Sequence, residues 1–382
     1  MDLDRRTTAD FGLPIGALLV AGAASLGGFA LEHTALPARM AVIVAVIGLL
    51  FATVFVVVRH ADAVAHHLGE PYGTLVLTLS VTIIEASLIV SMMLHGANNP
   101  TLARESVFST VMIVCAGVVG ACLTLGGWRH HHQDIKRQGT SAFLAMLIAM
   151  TGFILVLPNY TLAGDPGTFS TAQMAFVSTL ALLLYGSFVL GQMNSHRGDF
   201  VDDMGDQPAP PRHGNPDQGA VRVASRAGEV RGVAISALLL VMGLAGIVLL
   251  AEQVAGGLED SLAGFGVKQS DAIIGAFIAT LVLLPESVAA IKAALRNELQ
   301  RSLNIALGSA CATIGLTVPV VAAAGLLTGR TLTLGLGQGD MVLLVVALGT
   351  SIVSFGTGRT TTMTGLVHLV VFFAYLLLIV VP

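Results

Sequence analysis

Glu85 and Glu286 are the only carboxylates set deep within long apolar runs, VTIIEASLIV in 72–94 and LVLLPESVAA in 271–295. An ionised carboxylate at the centre of a bilayer costs roughly 2.5–3.5 kcal/mol on insertion scales, so two of them are expected to have a chemical use. Acids of this kind suit a cation or a proton. A hard cation wants oxygen ligands, about 6–8 of them for Ca2+, and a pair of carboxylates supplies part of that shell. Thr78 and Thr82 precede Glu85 by seven and three residues and share its face of a helix. Ser109, Thr110, Ser309 and Thr313 offer further hydroxyls on neighbouring apolar runs. Pro285 has no N–H, which frees a carbonyl one turn earlier, near Leu281. The plainer reading of the hydroxyls is that they bond their own helix backbones. A low-dielectric surround and mutual repulsion both favour the neutral carboxyl, which makes protons competitors for the same site.

The elements that must position these groups are membrane spans. The chain of 382 residues is 54% hydrophobic and 11% charged, whereas soluble domains carry about a quarter charged residues. Runs of roughly 20 apolar residues cross about 30 Å of hydrocarbon. Eleven are expected: 11–31, 39–58, 72–95, 105–126, 140–158, 170–193, 232–254, 270–295, 302–327, 340–355 and 361–381. The tenth is short and interrupted by glycine. With eleven spans, four of the nineteen Lys and Arg residues (Arg39, Arg104, Lys268 and Arg330) fall on one side and the rest on the other. That asymmetry predicts a cytoplasmic N-terminus and an external C-terminus, in the plasma (inner) membrane. AGAAS at 21–25 offers small residues for a signal-peptide cleavage, but Asp2, Asp4, Asp10 and the uninterrupted run to Leu31 argue against one. Cys115, Cys122 and Cys311 lie within spans and read as small packing residues rather than a disulfide framework.

The expected architecture is an all-α polytopic membrane protein, one leading helix followed by two inverted five-helix repeats. Residues 1–38 hold the N-terminus and the extra helix, 39–193 the first repeat and 232–382 the second. The polar stretch 194–231, rich in Pro, Gly and charge, reads as a mobile cytoplasmic linker. Glu85 lies on span 3 and Glu286 on span 8, and five spans of separation force opposite directions. Glu85 precedes Ser109 by 24 residues, and Glu286 precedes Ser309 by 23. In inverted repeats the site lies near the midplane at the repeat interface, so the two glutamates are expected to converge.

Other motifs are weaker. Gly337-Gln338-Gly339-Asp340 spells GxGD, a pattern of intramembrane aspartyl proteases. That chemistry needs a second intramembrane Asp, often after Tyr, and none of Tyr72, Tyr160, Tyr185 or Tyr375 precedes one. Asp340 reads better as a cap at the start of span 10. His130, His131 and His132 suit a solvated basic loop better than a transition-metal site, and Asp199, Asp202, Asp203 and Asp206 a soluble linker better than a cation sensor. His368, inside span 11, fits a proton relay or a hydrogen-bonded structural role equally. There is no P-loop and no feature that calls for nucleic acid.

PESVAAIKAALRNELQRSLNIALGSACATIGLTVP, Pro285 to Pro319, resembles the second α-repeat of cation/proton exchangers in the calcium/cation antiporter superfamily. GEPYGTLVLTLSVTIIEASLIVSMML, Gly69 to Leu94, resembles the first α-repeat of its bacterial calcium (sodium, potassium)/proton antiporter branch, and the C-terminal FGTGRTTTMTGLVHLVVFFAYLLLIVVP is similar to the same branch. The α-repeats would span about 69–126 and 270–327. The resemblance implies a ten-helix exchanger core plus a leading helix, with Glu85 and Glu286 as the shared cation and proton ligands. It implies an antiporter that exports Ca2+, or Na+ and K+, in exchange for protons by alternating access. No enzyme activity and no cofactor beyond the transported ions are expected, and the partners are those ions and the lipid bilayer. Many members carry Asn three residues before each glutamate, where this chain has Thr82 and Leu283. Two amide ligands are thus absent, which weighs against calcium preference and keeps a strictly monovalent Na+ or K+/proton antiporter as the alternative. An intramembrane aspartyl hydrolase is a more distant one.

Overall fold

The computed structural model describes residues 2–25, 36–68, 72–95, 100–162, 165–193, 219–264 and 269–381. Among the described residues the apolar runs form eleven helices. These are α1 (Asp2–Ser25), α2 (Leu36–Leu68), α3 (Tyr72–His95), α4 (Leu102–His130), α5 (Arg137–Tyr160), α6 (Thr171–Met193), α7 (Gly219–Gly264), α8 (Ser270–Leu295), α9 (Leu299–Thr328), α10 (Gln338–Gly356) and α11 (Thr362–Val380). Nine are long and apolar enough to cross a membrane in their described parts, and Asp10–Ala24 and Ser80–Met93 are shorter apolar segments of α1 and α3. The tenth expected span, short and glycine-interrupted in sequence, is a continuous 19-residue helix. Eleven apolar helices thus stand where eleven spans were expected, and the chain is a multi-pass membrane protein.

The chain divides into two compact units. One holds residues 1–80 and 203–250. In it α1 packs on α2, Arg59 pairs with Asp10 at 2.5 Å, and His60 Nε2 lies 3.0 Å from the Asp10 carbonyl. Gly246 of α7 sits against Ala17 and Leu18 of α1, where a Cβ would come within 3.0 Å of the Leu18 backbone. α7 begins at Gly219 rather than at 232, so the last third of the expected linker is helical. The reason is compositional: the last proline before the span is Pro216, and GAVRVASRAGEVR beyond it is rich in helix formers. The four linker aspartates, Asp199 to Asp206, lie outside the described residues.

The other unit holds residues 81–202 and 251–382, and it contains both glutamates. α4 and α8 run side by side in the same direction. At one end Gly275 meets Glu105 so closely that a Cβ would sit 2.8 Å from the Glu105 Cβ, and at the other His130 Nε2 lies 3.0 Å from the Leu295 carbonyl. α8 and α9 are joined by the short turn Arg296–Glu298, with Asn297 at a φ of 65°, and pack together as an antiparallel pair. α11 runs antiparallel along α4 through small residues: Gly365 faces Thr124, Gly120 faces His368, and Gly117 faces the Phe372 ring. α11 starts at a capping box formed by Thr361 and Thr364. Gln133–Asp134 pairs with Arg359–Thr360 as a two-residue antiparallel ladder beside that start.

Two departures from the expected picture concern connections. Residues 331–337, TLTLGLG, read as a loop, but Leu332, Leu334 and Leu336 are buried and the strand-like segment is bonded to Pro100, Leu155 and Gly167 carbonyls. Period-2 leucines bury one face of an extended chain, and Gly335 permits its contact with Asn159, where a Cβ would overlap the amide. Asp340 does not cap α10 through its side chain. It lies in the first turn, where the helix N-terminus favours a carboxylate, and Gly337 holds the cap position.

Candidate functional site

The site is built where helices lose their regular winding. α4 carries a π-helical turn at Ile113–Val118, and α9 carries one at Thr313–Thr317. Single π turns inside α-helices shift the register of the side chains that follow and recur at functional sites. The two turns start 200 residues apart, and the two glutamates lie 201 apart.

Glu85 projects from the buried side of α3, among Val81, Ile84, Leu88 and Ile89, while Ile83 on the opposite side is exposed. Its carboxylate is 1% exposed. Oε2 accepts a hydrogen bond from Thr313 Oγ1 at 2.7 Å and another from Thr317 Oγ1 at 3.2 Å. The two threonines stand at the ends of the α9 π turn, so a spacing of four residues brings both hydroxyls to one oxygen. Ile89 shares a small void with Thr317 and Val321, so α3 and α9 run in the same direction. Glu85 Oε1 is buried with no hydrogen-bond partner among the described residues.

Glu286 lies on α8 directly after Pro285, whose missing N–H leaves the Leu281 carbonyl without its intrahelical partner. Counting about 1.5 Å per residue from the Gly275 crossing, Glu286 lies about 16 Å along α8, level with Ala116 in the α4 π turn, and α8 packs on that turn. Its Oε2 is likewise buried and unpartnered. α8 packs on α9, the helix whose Thr313 and Thr317 hold Glu85.

The other expected ligands divide. Thr313 joins Glu85, as just described. Thr82 is buried beside Glu85 on α3 and is engaged in an interaction of its own. Thr110 Oγ1 is buried without a partner. No hydrogen bond from Ser309 to either glutamate is found among the described residues. The side chain of Thr78 lies outside them. Ser109 is drawn elsewhere: its Oγ accepts from Tyr375 OH at 2.6 Å. Tyr375 lines a polar cavity of about 330 Å³ with Arg104, Glu105, Asp271 and Asp340, so Ser109 belongs to that neighbourhood. There Arg104 pairs with Glu105 at 2.5 Å and donates to the Gly335 carbonyl at 3.0 Å, and Thr101 donates to Asp271.

Sequence reasoning missed Thr317, whose one signal is its spacing of four from Thr313. It also missed Ser91, which donates to Glu252 Oε2 at 2.7 Å. For His368 the structural role is the one observed: Nδ1 lies 2.7 Å from the Cys115 carbonyl, inside the α4 π turn, and Nε2 lies 2.9 Å from Ser354 Oγ. His130 is likewise committed to the end of α8 rather than to its neighbouring histidines. Among the described residues no three His, Cys, Asp or Glu side chains form a metal-binding group. The arrangement is instead a carboxylate on α3 and another on α8 with hydroxyl support from α9, oxygen donors of the kind a hard cation takes.

Known proteins resemble the chain in sequence and in fold. The model of the sodium/calcium exchanger protein family matches residues 39–194 and 235–381. A putative ionic transporter of Sinorhizobium fredii is 40% identical over 359 residues, covering 94% of this chain and 93% of that one. The sodium-potassium/proton antiporter ChaA of Escherichia coli is 38% identical over 349 residues, covering 90% of each. Among solved structures, the Ca2+/H+ antiporter YfkE superposes with a TM-score of 0.68 at 14% identity over 98% of this chain and 99% of that one. The H+/Ca2+ exchanger CAX does so with a TM-score of 0.62 at 12% identity over 96% and 89%. At these identities the two structures speak for the fold.

Proposed function

The chain belongs to the sodium/calcium exchanger protein family, and on that premise we propose that it is a secondary cation/proton antiporter whose shared ligands are Glu85 and Glu286. It exports Ca2+, or Na+ and K+, and takes up protons by alternating access. The observation that carries the reading is Glu85, buried in an apolar bundle and held by Thr313 and Thr317 of the helix on which the Glu286 helix packs. Burying one carboxylate is costly, and burying two together is worse unless a cation or protons neutralise them. Protons and cation therefore compete for the same oxygens, and each is released when the other binds. One divalent cation exchanged for two protons, or one monovalent cation for one, leaves the charge of the site unchanged.

Directions within the larger unit support an inverted repeat of 39–193 and 232–382. α3 runs with α9, α8 runs with α4, and α8 and α9 are antiparallel, so the two glutamate helices point in opposite senses. Eleven spans put the termini on opposite sides, and the Lys and Arg distribution places the N-terminus in the cytoplasm and the C-terminus outside in this reading. On this orientation the Arg104–Asp340 cavity opens outward, and the ends of α4 and α8 near His130 and Leu295 face the cytoplasm.

The experiment is cation-driven proton flux in proteoliposomes of the purified chain, with Ca2+, Na+, K+ and Mg2+ compared. Saturable proton release on addition of at least one of Ca2+, Na+ or K+ supports the reading. A cation current without proton movement would overturn it in favour of a channel.

A further inference from the structure

The two halves of the site differ in a way that bears on which ion it takes. At the offset set by the two π turns, Thr313 and Thr317 of α9 correspond to Ile113 and Gly117 of α4. The hydroxyl pair therefore exists on one side only. An isoleucine offers no donor, and Gly117 has no room for one, since a Cβ there would lie 3.1 Å from the Phe372 ring. Glu85 Oε2 is held by two donors, while Glu85 Oε1 and Glu286 Oε2 are buried and unpartnered.

We propose that Thr317 is a specificity-determining residue, which with Thr313 ties Glu85 Oε2 to α9 and confines Glu85 to one coordinating oxygen, favouring monovalent cations over Ca2+. The inference rests on Glu85 being a cation ligand, as proposed above.

The chemistry follows from counting oxygens. A carboxylate oxygen that accepts two hydroxyl hydrogen bonds has its lone pairs engaged. A cation then meets Oε1 of Glu85 and Oε2 of Glu286, while the threonine hydroxyls, whose protons are spent on Glu85 Oε2, hold that oxygen away from it. Ca2+ gains most from bidentate carboxylates and a shell of 6–8 oxygens. Restraining Glu85 to one oxygen removes one anionic ligand from that shell, a larger loss for a doubly charged ion than for a singly charged one. The apolar counterpart positions on α4 give no compensating ligand beside Glu286. Thr317 makes the longer of the two bonds and is wholly buried, so it acts through Glu85.

The test compares Thr317→Val, which keeps the shape and deletes the donor, with Thr317→Ser, which keeps the donor. Full-length protein in proteoliposomes is assayed for Ca2+-driven and Na+-driven proton flux over a concentration series. The readout is the ratio of apparent KM for Na+ to apparent KM for Ca2+. Thr317→Val is expected to raise that ratio about tenfold, the equivalent of one hydroxyl–carboxylate bond, and Thr317→Ser to keep it near the wild-type value. Should Thr317→Val not fold, Ile113→Thr serves instead. It adds a donor on the opposite π turn and is expected to lower the ratio. An unchanged ratio in Thr317→Val, with both fluxes falling together, would make Thr317 a packing residue and overturn the proposal. So would a wild-type protein that moves Ca2+ and neither Na+ nor K+. Failure of the underlying reading looks different, because Glu85→Gln would then transport like wild type with every ion.

Discussion

Glu85→Gln keeps the volume of the side chain and removes its charge and its titratable proton. The structure fixes what else changes. The amide oxygen can take the place of Oε2 and keep both threonine bonds, at 2.7 and 3.2 Å in the parent, while the amide NH2 replaces Oε1. Bonds to an ionised acceptor are roughly twice as strong as neutral ones, and a neutral one contributes about 1 kcal/mol. Two bonds so weakened cost about 2 kcal/mol. Against that, the variant no longer buries a carboxylate, whose cost is about 2.5–3.5 kcal/mol at the bilayer centre. The two effects oppose one another, so stability in detergent is expected to stay within about 1–2 kcal/mol of the parent. Transport has no such compensation: the new NH2 points hydrogens at an incoming cation, and no proton can be exchanged at this position. Cation-driven proton flux in proteoliposomes, with reconstituted protein matched, is expected to fall to that of protein-free vesicles for every ion. Parental flux in this variant would refute the role given to Glu85, and gross unfolding would refute the balance of energies.

Two other outcomes follow from the packing and a third from the span count. Gly365→Leu places a side chain on the backbone of Leu123 and on Thr124, which a Cβ alone already overlaps, and overpacking of that kind costs typically 1–3 kcal/mol; thermal unfolding in detergent is expected to drop, while Gly256→Leu on α7, where a Cβ meets nothing, leaves it unchanged. His368→Ala strands the Cys115 carbonyl and the Ser354 hydroxyl in an apolar interior, for about 1–3 kcal/mol of stability each, and His368→Asn recovers part of it by keeping one donor. Single cysteines placed at 205 in the linker and at 382 are expected to label from opposite sides of the membrane, and labelling from the same side would sink the eleven-span orientation.

Glu85 and Glu286 were legible in the sequence because an acid in the middle of an apolar run contradicts its surroundings, and that contradiction survives any detail of packing. The spans were legible for a similar reason, since a fixed hydrocarbon thickness imposes a length that composition reports directly. Polar groups near span ends were not. Arg104, Glu105, Asp271 and Asp340 stand far apart in sequence at the ends of three apolar runs, and their shared cavity appears only when α4, α8 and α10 are assembled. The buried segment at 331–337 was hidden by its glycines, which mark a loop in sequence and permit a close approach in the fold.

The hydroxyls show most clearly where local reasoning stops. Thr151, Thr280 and Thr328 bond the carbonyl four residues back, the behaviour expected of an intramembrane threonine. Thr313 and Thr317 look the same in sequence, yet both turn to a carboxylate more than 200 residues away in the chain. The second pair stands on the π turn of α9 at the level of Glu85. A π turn alone does not decide the matter, since Thr151 beside the one at Gly152–Val156 still bonds its own helix. What differs is the carboxylate within reach. A regular helix would place Thr317 about 40° round from Thr313 and direct the pair along a diagonal. Across the π turn both nonetheless reach one oxygen. Its partner turn on α4, at the level of Glu286, carries no hydroxyl at the matching positions. The same distortion therefore recurs in both halves of the chain while its chemistry does not, and on the proposed reading that difference is what would give two similar glutamates different work for one ion.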